Sequence, residues 1–555
     1  MHAVQKEWNV RSPDPSTTDH LTDALGCHPL AATVFVNRGI EDPAMAAKYL
    51  DPTPDAFNDP RLLPDMDAAV SRITEAIDRG ETITIYGDRD VDGVTGTAIL
   101  TQLLERSGAT VGFAIPGKYD GFGIKPRIVR SLDTRGTDLL ISVDCGTTDA
   151  GAIREATRAG MEVIITDHHE ASDGYPDVCA CINPHREDAY PHTGLTGAGI
   201  AFKLGQELLA DIGGTSRSSY VEYALPLAAI GTVVDRGPMT LENRSIARLG
   251  FDRLPSCPLP SVRSLVNHCE VESVRDIGWS LGPLLNAAQE DESGHLMLEL
   301  LRSADENRIE ALLDKCEEYR ELRSAERQEW EDELTESLTA EAAAKDVVAV
   351  ETTQYAVPAS SQISEQLGKP VVAFYPKDGG FYGGGRTDPD VDLRALFEAC
   401  DHLLDRCWGH PGAAGFFMAE DHRDEFVNAL QTEVRRRYSP QELQPRIDID
   451  AELSPTEVTD ELGTVIEHLR PFGSGFEEPH VLVSDLELEE FGGFGSDTTH
   501  VAFEPTQLDR RIVWWNGRSR IEDVWDGSGP YDVVGTIARD DREFRFDVAD
   551  MRPST

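Results

Sequence analysis

Between Asp67 and Ile165 the apolar and polar positions alternate in blocks of regular size. The stretch Asp67 to Asp78 has helical spacing, Thr82 to Tyr86 is a short apolar run, and a second helical stretch follows Gly93. Thr110 to Ile115, Leu139 to Val143 and Met161 to Ile165 are further apolar runs, each bounded by loop residues and separated by helix-length segments. Strands buried on both faces carry no polar alternation, so this βα succession predicts a doubly wound, parallel α/β sheet.

Downstream, Asp305 to Ala344 carries Ile309, Leu312, Leu313, Cys316, Tyr319 and Leu322 at helical spacing among dense charges, without Pro or Gly. This predicts one long connecting helix with no chemistry of its own. A second α/β unit follows, with strands near Val347 to Val350 and Val371 to Phe374, the cluster Gly383-Gly384-Gly385, and a helix Leu393 to Leu404; it ends near Tyr438. From Ile447 onward, short strand candidates (Val481 to Val483, Val501 to Phe503, Ile512 to Trp515, Tyr531 to Ile537, Glu543 to Val548) stand between Gly, Asp and Asn turns, and predict a small antiparallel barrel of the OB kind. The opening residues, punctuated by Pro13, Pro15, Pro52, Pro54 and Pro60, read as a cap with short helices such as Pro43 to Tyr49. The expected organisation is a cap over 1–75, a first α/β domain over 76–300, the connecting helix over 301–345, a second α/β domain over 346–440 and the barrel over 441–555.

A chain of 555 residues exceeds what one core supports, and 40% hydrophobic residues suffice for several domains. Its apolar runs are strand-sized, far below the roughly 20 residues that span a bilayer. The first residues, with Glu7, Arg11 and Asp14, do not form a signal peptide, so the expected location is the cytoplasm, with no membrane partner. Nine cysteines, an odd number without a C-x-x-C pair, argue against a disulfide framework or a zinc ribbon.

The formal net charge of −48 opposes binding to nucleic acid on its face, since affinity for phosphate backbones comes from Lys and Arg. Only nine basic residues are Lys, the other 42 being Arg, and acids are spread along the whole chain, a pattern that resembles proteins of salt-accumulating halophiles. At roughly 1 M ionic strength the Debye length is about 3 Å, so remote carboxylates barely repel a polyanion and the groups lining a site decide.

The candidate chemistry lies at strand ends. Asp88, Asp90 and Asp92 follow the first strand, Asp144 follows the third, and Asp167-His168-His169 follows the fourth; in an open parallel sheet those ends face one crevice. A single Asp at such a place is most simply a helix cap or turn residue. Several carboxylates and two imidazoles delivered together cannot all stay ionised without cations. Mixed oxygen and nitrogen ligands without thiolate suit two divalent ions, Mn²⁺ in preference to Mg²⁺, rather than structural zinc, and a shared carboxylate between two ions suits phosphoryl chemistry.

These residues resemble the motifs of the DHH phosphoesterases: Gly87-Asp88-Arg89-Asp90-Val91-Asp92-Gly93, Val143-Asp144-Cys145-Gly146, Asp167-His168-His169, and Gly231-Thr232-Val233-Val234-Asp235. Gly197 to Leu204, Glu242-Asn243-Arg244, Gly282-Pro283-x-x-Asn286-Ala287-Ala288, Trp408-Gly409-His410-x-x-Ala413-Ala414-Gly415 and Pro471-Phe472-Gly473-Ser474-Gly475 are similar to the RecJ branch, whose members are single-strand DNA exonucleases. The resemblance implies that Asp88 and Asp90 hold one ion and Asp92, His168 and Asp235 the other, with Asp144 bridging. It further implies that His169 contacts the scissile phosphate, that Asp167 orients the imidazoles, and that His410 contacts substrate phosphate from across the groove. Arg386 with the glycines Gly384 and Gly385 forms a candidate phosphate cradle, against the simpler reading of a hairpin turn with a solvated Arg. Tyr86 stands where some relatives have a histidine ligand.

Two stretches depart from the family. Its G-P-R-x-N-A-A-G-R reads Gly282-Pro283-Leu284-Leu285-Asn286-Ala287-Ala288-Gln289-Glu290, without either arginine, and G-S-G-R-S reads Gly383-Gly384-Gly385-Arg386-Thr387. These positions resemble those that hold a 5′ phosphate, for which Lys118 is the remaining basic candidate. In the barrel, Trp514, Trp515, Arg511 and Arg518 form a candidate stacking surface for bases, against the alternative that one tryptophan fills the barrel.

The leading expectation is metal-dependent hydrolysis of single-stranded DNA, 5′ to 3′, in repair, recombination or replication, with RNA as an alternative substrate. A small-substrate phosphodiesterase acting on short oligonucleotides or cyclic dinucleotides is the enzymatic rival; the long helix and barrel argue against it. A scaffold binding GINS or other replication and repair proteins is the rival of another class.

Overall fold

The structure is a computed structural model. It describes the chain outside residues 1–5, 172–173, 187–189, 354–356, 378, 388–390, 440–441, 496–497, 509, 526, 528, 541–542 and 555, and for His410 and a few other helix and strand residues it describes the backbone alone.

The first sheet is parallel throughout, in the order Thr110–Ala114, Thr82–Gly87, Leu139–Val143, Glu162–Thr166 and Ala180–Ile182. The chain leaves Thr82–Gly87 for the strand on one side, then returns to Leu139–Val143 on the other. The order therefore reverses between those two strands, which opens a crevice at their carboxyl ends. The last strand, Ala180–Ile182, was not separable by periodicity, being only three residues long.

Behind the crevice lies Val91–Arg106, a helix buried over most of its length between Gly197–Leu208 and Arg217–Val234. Two of its interior threonines are satisfied locally, Thr95 Oγ1 donating to Val91 O at 2.7 Å and Thr97 Oγ1 to Gly93 O at 2.7 Å, whereas the buried Thr101 Oγ1 and Gln102 Nε2 have no partner among the described residues.

The connecting helix runs from Glu306 to Ser337, with a separate turn Ala340–Ala343, rather than continuously to Ala344. Its first turns bury Ile309, Leu312, Leu313 and Cys316 in the first core. At its far end Leu334, with Trp330 and Leu338, packs against Val348, Val350 and Val371 of the second sheet, and Leu338 leaves helical geometry. That second sheet has the order Arg406–His410, Ala413–Ala419, Gly380–Arg386, Val371–Lys377, Val348–Glu351.

The C-terminal strands form a six-stranded sheet in which Val481–Phe494 pairs with both His500–Pro505 and Pro530–Asp540, closing the barrel. The N-terminal segment belongs to this end of the molecule. Glu7–Val10 pairs in parallel with Arg446–Ile449, and Leu21, Phe35 and Tyr49 share one core with Phe476, Val481 and Trp514. The short helices are too small to enclose a core of their own, and their apolar faces join one cluster with the barrel.

Arg244 joins this part to the first unit. It is buried, and its guanidinium donates to Tyr49 O and Leu469 O, each at 2.9 Å, to Arg470 O at 3.2 Å and to Pro471 O. No helix among the described residues is long and apolar enough to cross a membrane, and all nine cysteines are free thiols.

Candidate metal centre and substrate groove

Five carboxylates and two imidazoles meet at the crevice, each fixed by backbone. Asp88 continues the strand Thr82–Gly87; its N–H donates to Val143 O at 3.0 Å, and its Oδ2 accepts from Gly123 N at 3.0 Å. Asp90 caps the helix Val91–Arg106, its side chain accepting from Gly93 N at 3.0 Å. Asp92, in the first turn of that helix, is buried and accepts from Gly197 N at 2.6 Å and Ala198 N at 3.0 Å. Those two amides begin the neighbouring helix, whose positive end favours a carboxylate.

Asp144 follows Leu139–Val143 with φ 62°, a left-handed conformation uncommon for a residue with a Cβ, and is held by donation from its N–H to Thr166 O at 2.8 Å. Position 197 must be glycine for the helix to approach: a Cβ there would lie 2.5 Å from Asp144 Cβ. Asp235 ends the helix Arg217–Val234.

His168 Nε2 lies 3.0 Å from Asp144 Oδ1 and 3.9 Å from Asp235 Oδ2. Two ligand groups result, Asp92 with His168 and Asp235, and Asp144 with His168 and His169; within each group the ligand atoms lie within 4.8 Å of one another. Asp88 and Asp90 stand beside these groups and in neither. Asp90 is thus both the helix cap of the simpler reading and a charge felt throughout the site.

Electrostatics mark the cluster as strained in the absence of cations. Burial, then the neighbouring Asp90, pushes Asp88 and Asp92 each up to about 7. Burial, then Asp92 and Asp90, pushes Asp235 to about 8, and burial with four neighbouring carboxylates pushes Asp144 well above the ordinary range. His168 falls to about 4, from burial and then from His169.

Asp167 goes the other way. Burial opposes its charge, but the hydrogen bond from His169 and the charge of both imidazoles bring it down to about 2. Its Oδ1 is 2.7 Å from His169 Nδ1, and its Oδ2 accepts from Thr147 N at 2.9 Å. The bond to Asp167 in turn raises His169 to about 9. Nδ1 being so engaged, Nε2 is the atom left for the site. Asn183, which donates to His169 O at 2.9 Å and to Thr147 Oγ1 at 3.1 Å, fixes the same turn.

The donor set fits divalent cations. Asp144 Oδ1 is buried and accepts no hydrogen bond among the described residues, although His168 Nε2 is 3.0 Å away. A cation there would satisfy both, and oxygen and imidazole ligands without thiolate suit Mn²⁺ or Mg²⁺. Tyr86 offers no ligand: its hydroxyl donates to Gly123 O at 3.2 Å and accepts from Lys125 N at 3.0 Å.

The expected substrate contacts fare unevenly. Arg386 ends its strand, half-buried, and lines a cavity of about 740 Å³ together with Asp235. Gly384 and Gly385 do not form a cradle. They lie inside the strand Gly380–Arg386, buried and paired on both sides, Gly384 with Gly415 and Ala373, Gly385 with Ala414 and Val372, so their amides face neighbouring strands. They are glycines because the sheet is tight: a Cβ at Gly384 would lie 2.7 Å from Ala414 O. His410 pairs with Ala413 through its backbone, and its side chain lies outside the described residues.

Lys118 is engaged rather than open, its Nζ 2.6 Å from Glu290 Oε2, so the acid that replaces the family's second arginine neutralises the cation nearest to it. Arg323, from the connecting helix, donates to Asn286 O at 2.5 Å and reaches to 3.9 Å from Glu290, a residue the sequence did not single out. Trp514 is 2% exposed and belongs to the barrel core, which removes it from the stacking surface. Trp515 is 43% exposed, with Phe494 and His500 edge-on at 5.5 and 4.9 Å and Arg545 over its ring at 5.1 Å; Arg518 is exposed close by in sequence.

Comparison with known proteins agrees with this geometry. Residues 82–232 match the DHH family, N-terminal domain, and residues 449–545 match the RecJ OB domain. The single-stranded-DNA-specific exonuclease RecJ of Bacillus subtilis is 30% identical over 554 residues, covering 97% of this chain and 69% of its own length. The protein of the same name from Escherichia coli is 29% identical, covering 81% of this chain and 82% of its own. A crystal structure of RecJ in complex with Mn²⁺ from Thermus thermophilus superposes with a TM-score of 0.81 at 25% identity, covering 99% of this chain and 80% of that one.

Proposed function

The chain belongs to the RecJ branch of the DHH phosphoesterases, and from that premise we propose that it is a single-strand-specific DNA exonuclease that hydrolyses phosphodiester bonds 5′ to 3′. The observation that carries the reading is the buried, unpartnered Asp144 Oδ1, aimed with His168 into the space that Asp92 and Asp235 also border.

Two divalent ions, Mn²⁺ in preference to Mg²⁺, would bind between these groups and supply activation of the attacking water and neutralisation of charge on the phosphate. Asp92, His168 and Asp235 are the proposed ligands of one, Asp88 and Asp90 of the other, with Asp144 between them. The chain's own residues hold the substrate around that point. His169, whose Nδ1 is engaged by Asp167, presents Nε2 to a non-bridging phosphate oxygen as a donor. Arg386 offers a guanidinium from across the cavity, and His410 is proposed to contact phosphate from the same sheet. Binding of GINS or other replication and repair proteins belongs to the rival scaffold reading, alone or beside catalysis, and is tested by co-purification.

The test of the activity is degradation of a single-stranded oligonucleotide labelled at either end, with Mn²⁺ in molar KCl, beside Asp144→Ala. Metal-dependent loss from the 5′ end, absent in the variant, is the expected result. Loss from the 3′ end would reverse the polarity, and an intact oligonucleotide would remove the nuclease.

A further inference from the structure

Arg236 directly follows Asp235 and stands at φ 60°. It closes the helix Arg217–Val234, with its own N–H donated to Val233 O at 3.2 Å and that of Gly237 to Thr232 O at 3.0 Å. A left-handed residue just past a helix end is the place where glycine is cheapest, because a Cβ crowds the backbone there. Arg236 is exposed, and among the described residues its side chain makes no hydrogen bond or ion pair. A strained residue whose side chain does no structural work points to a ligand.

The surroundings supply a second, independent sign. Arg236 lines the cavity of about 740 Å³ with Asp235, Arg386, Arg446, Lys6 and Ser474, a size within the roughly 300–1,000 Å³ span of ligand sites. Of the thirteen residues that line the cavity four are cationic and one is anionic, in a chain whose net charge is −48. The walls come from the end of the metal-site helix, the end of the glycine strand and the two segments that pair at the barrel. The loop after Arg236 is pinned, since Met239 N donates to Ser474 O at 2.8 Å, so the backbone that carries Arg236 is fixed next to Asp235.

We propose that Arg236 is a substrate-binding residue that, with Arg386 and Arg446, holds a backbone phosphate of the single strand beside the scissile bond. The inference rests on the nuclease reading and adds a phosphate subsite to it. The guanidinium fork matches two oxygens of one phosphate, and its position next to Asp235 ties the register of the strand to the metal centre.

The test compares Arg236→Gly and Arg236→Lys with the unmodified full chain, with Ca²⁺ in place of Mn²⁺ for binding of fluorescein-labelled oligo(dT) by anisotropy across a KCl series, and with Mn²⁺ for turnover. Glycine relieves the left-handed conformation, so the thermal midpoint should hold or rise while affinity falls about tenfold. The slope of log affinity against log salt should drop by about 0.7, one phosphate contact on a single strand, and KM should rise with kcat kept. Arg236→Lys should keep the slope and lose part of the affinity. Unchanged affinity and slope in Arg236→Gly, beside an unmodified chain that binds, would overturn the subsite alone. An unmodified chain that neither binds nor cuts the oligonucleotide overturns the nuclease reading and this subsite with it.

Discussion

His169 Nδ1 and Asp167 Oδ1 lie 2.7 Å apart; the same Oδ1 accepts from the amides of His168 and His169, and Oδ2 accepts from Thr147 N. Hydrogen bonds thus tie the carboxylate to one imidazole and to the backbone around it. Asp167→Asn keeps the shape but lets the imidazole lose its proton and its orientation, so kcat should fall about 10- to 100-fold while Mn²⁺ affinity changes little. Steady-state kinetics on a single-stranded oligonucleotide, with calorimetric titration of Mn²⁺, separates the two; equal loss in both would make Asp167 part of the metal shell.

Asp144→Ala should abolish turnover and at the same time stabilise the metal-free chain. The residue combines a left-handed backbone with burial among like charges, and the second of these is relieved when the carboxylate is removed from the cluster. In EDTA the gain should be about 1 kcal/mol, roughly 2–4 °C in midpoint for a unit of this size. With Mn²⁺ present the order should reverse, because only the unmodified chain gains from binding. Scanning calorimetry with and without metal reads both.

Arg244→Met should loosen the joint between the first unit and the barrel. Four backbone carbonyls, at Tyr49, Leu469, Arg470 and Pro471, lose their buried donor, at a cost of about 3 kcal/mol. Denaturant melts should become biphasic, and limited proteolysis should cut ahead of the barrel. A single transition at the original midpoint would show that the joint rests on apolar contacts alone.

His192 is buried, and its Nε2 has no partner among the described residues; burial holds it below its ordinary value of 6.5, against the opposing charge of Glu242 and a hydrogen bond with Asn243. Its folded value being depressed, the unfolded chain takes up the proton first. The stability it contributes is therefore full above pH 6.5 and is lost as pH falls below it, with a slope of at most about 1.4 kcal/mol per pH unit. His192→Gln should flatten that part of the stability profile, and melts across the window test it.

Salt should stabilise the whole chain. At low ionic strength a net charge of −48 repels itself through water, and molar KCl shortens the Debye length to about 3 Å. The thermal midpoint is expected to rise by several degrees from dilute buffer to molar KCl. A midpoint independent of salt would mean that the acidic surface is balanced locally by its arginines.

The carboxylates that the first sheet brings to the candidate site were legible because each stands at the end of an apolar run, and a parallel sheet carries all such ends to one edge. Asp88, Asp144 and Asp167 could be placed from strand length alone. The supports of those groups could not be read so: the amides of Gly197 and Ala198 on Asp92, and Asn183 on the His169 turn, act through backbone atoms that have no residue signature. Gly384 and Gly385 misled for a related reason. Three consecutive glycines fit a phosphate loop and a tightly paired strand equally well, and only the neighbours Ala414 and Val372 decide between them.

What the sequence determined by itself is the local order: which runs become buried strands, which become helices, and which acids and imidazoles end them, since period and turn residues are properties of a few neighbouring positions. Tertiary structure alone decided the rest. The first strand, Glu7–Val10, pairs with Arg446–Ile449 from the far end of the chain, Glu290 faces Lys118, Trp514 turns inward while Trp515 turns out, and Arg236 enters a cavity shared with Arg386 and Arg446. Each of these depends on where separate units dock. Docking is set by the sum of many apolar contacts and by a few buried donors such as Arg244, and no short stretch of the chain carries that sum.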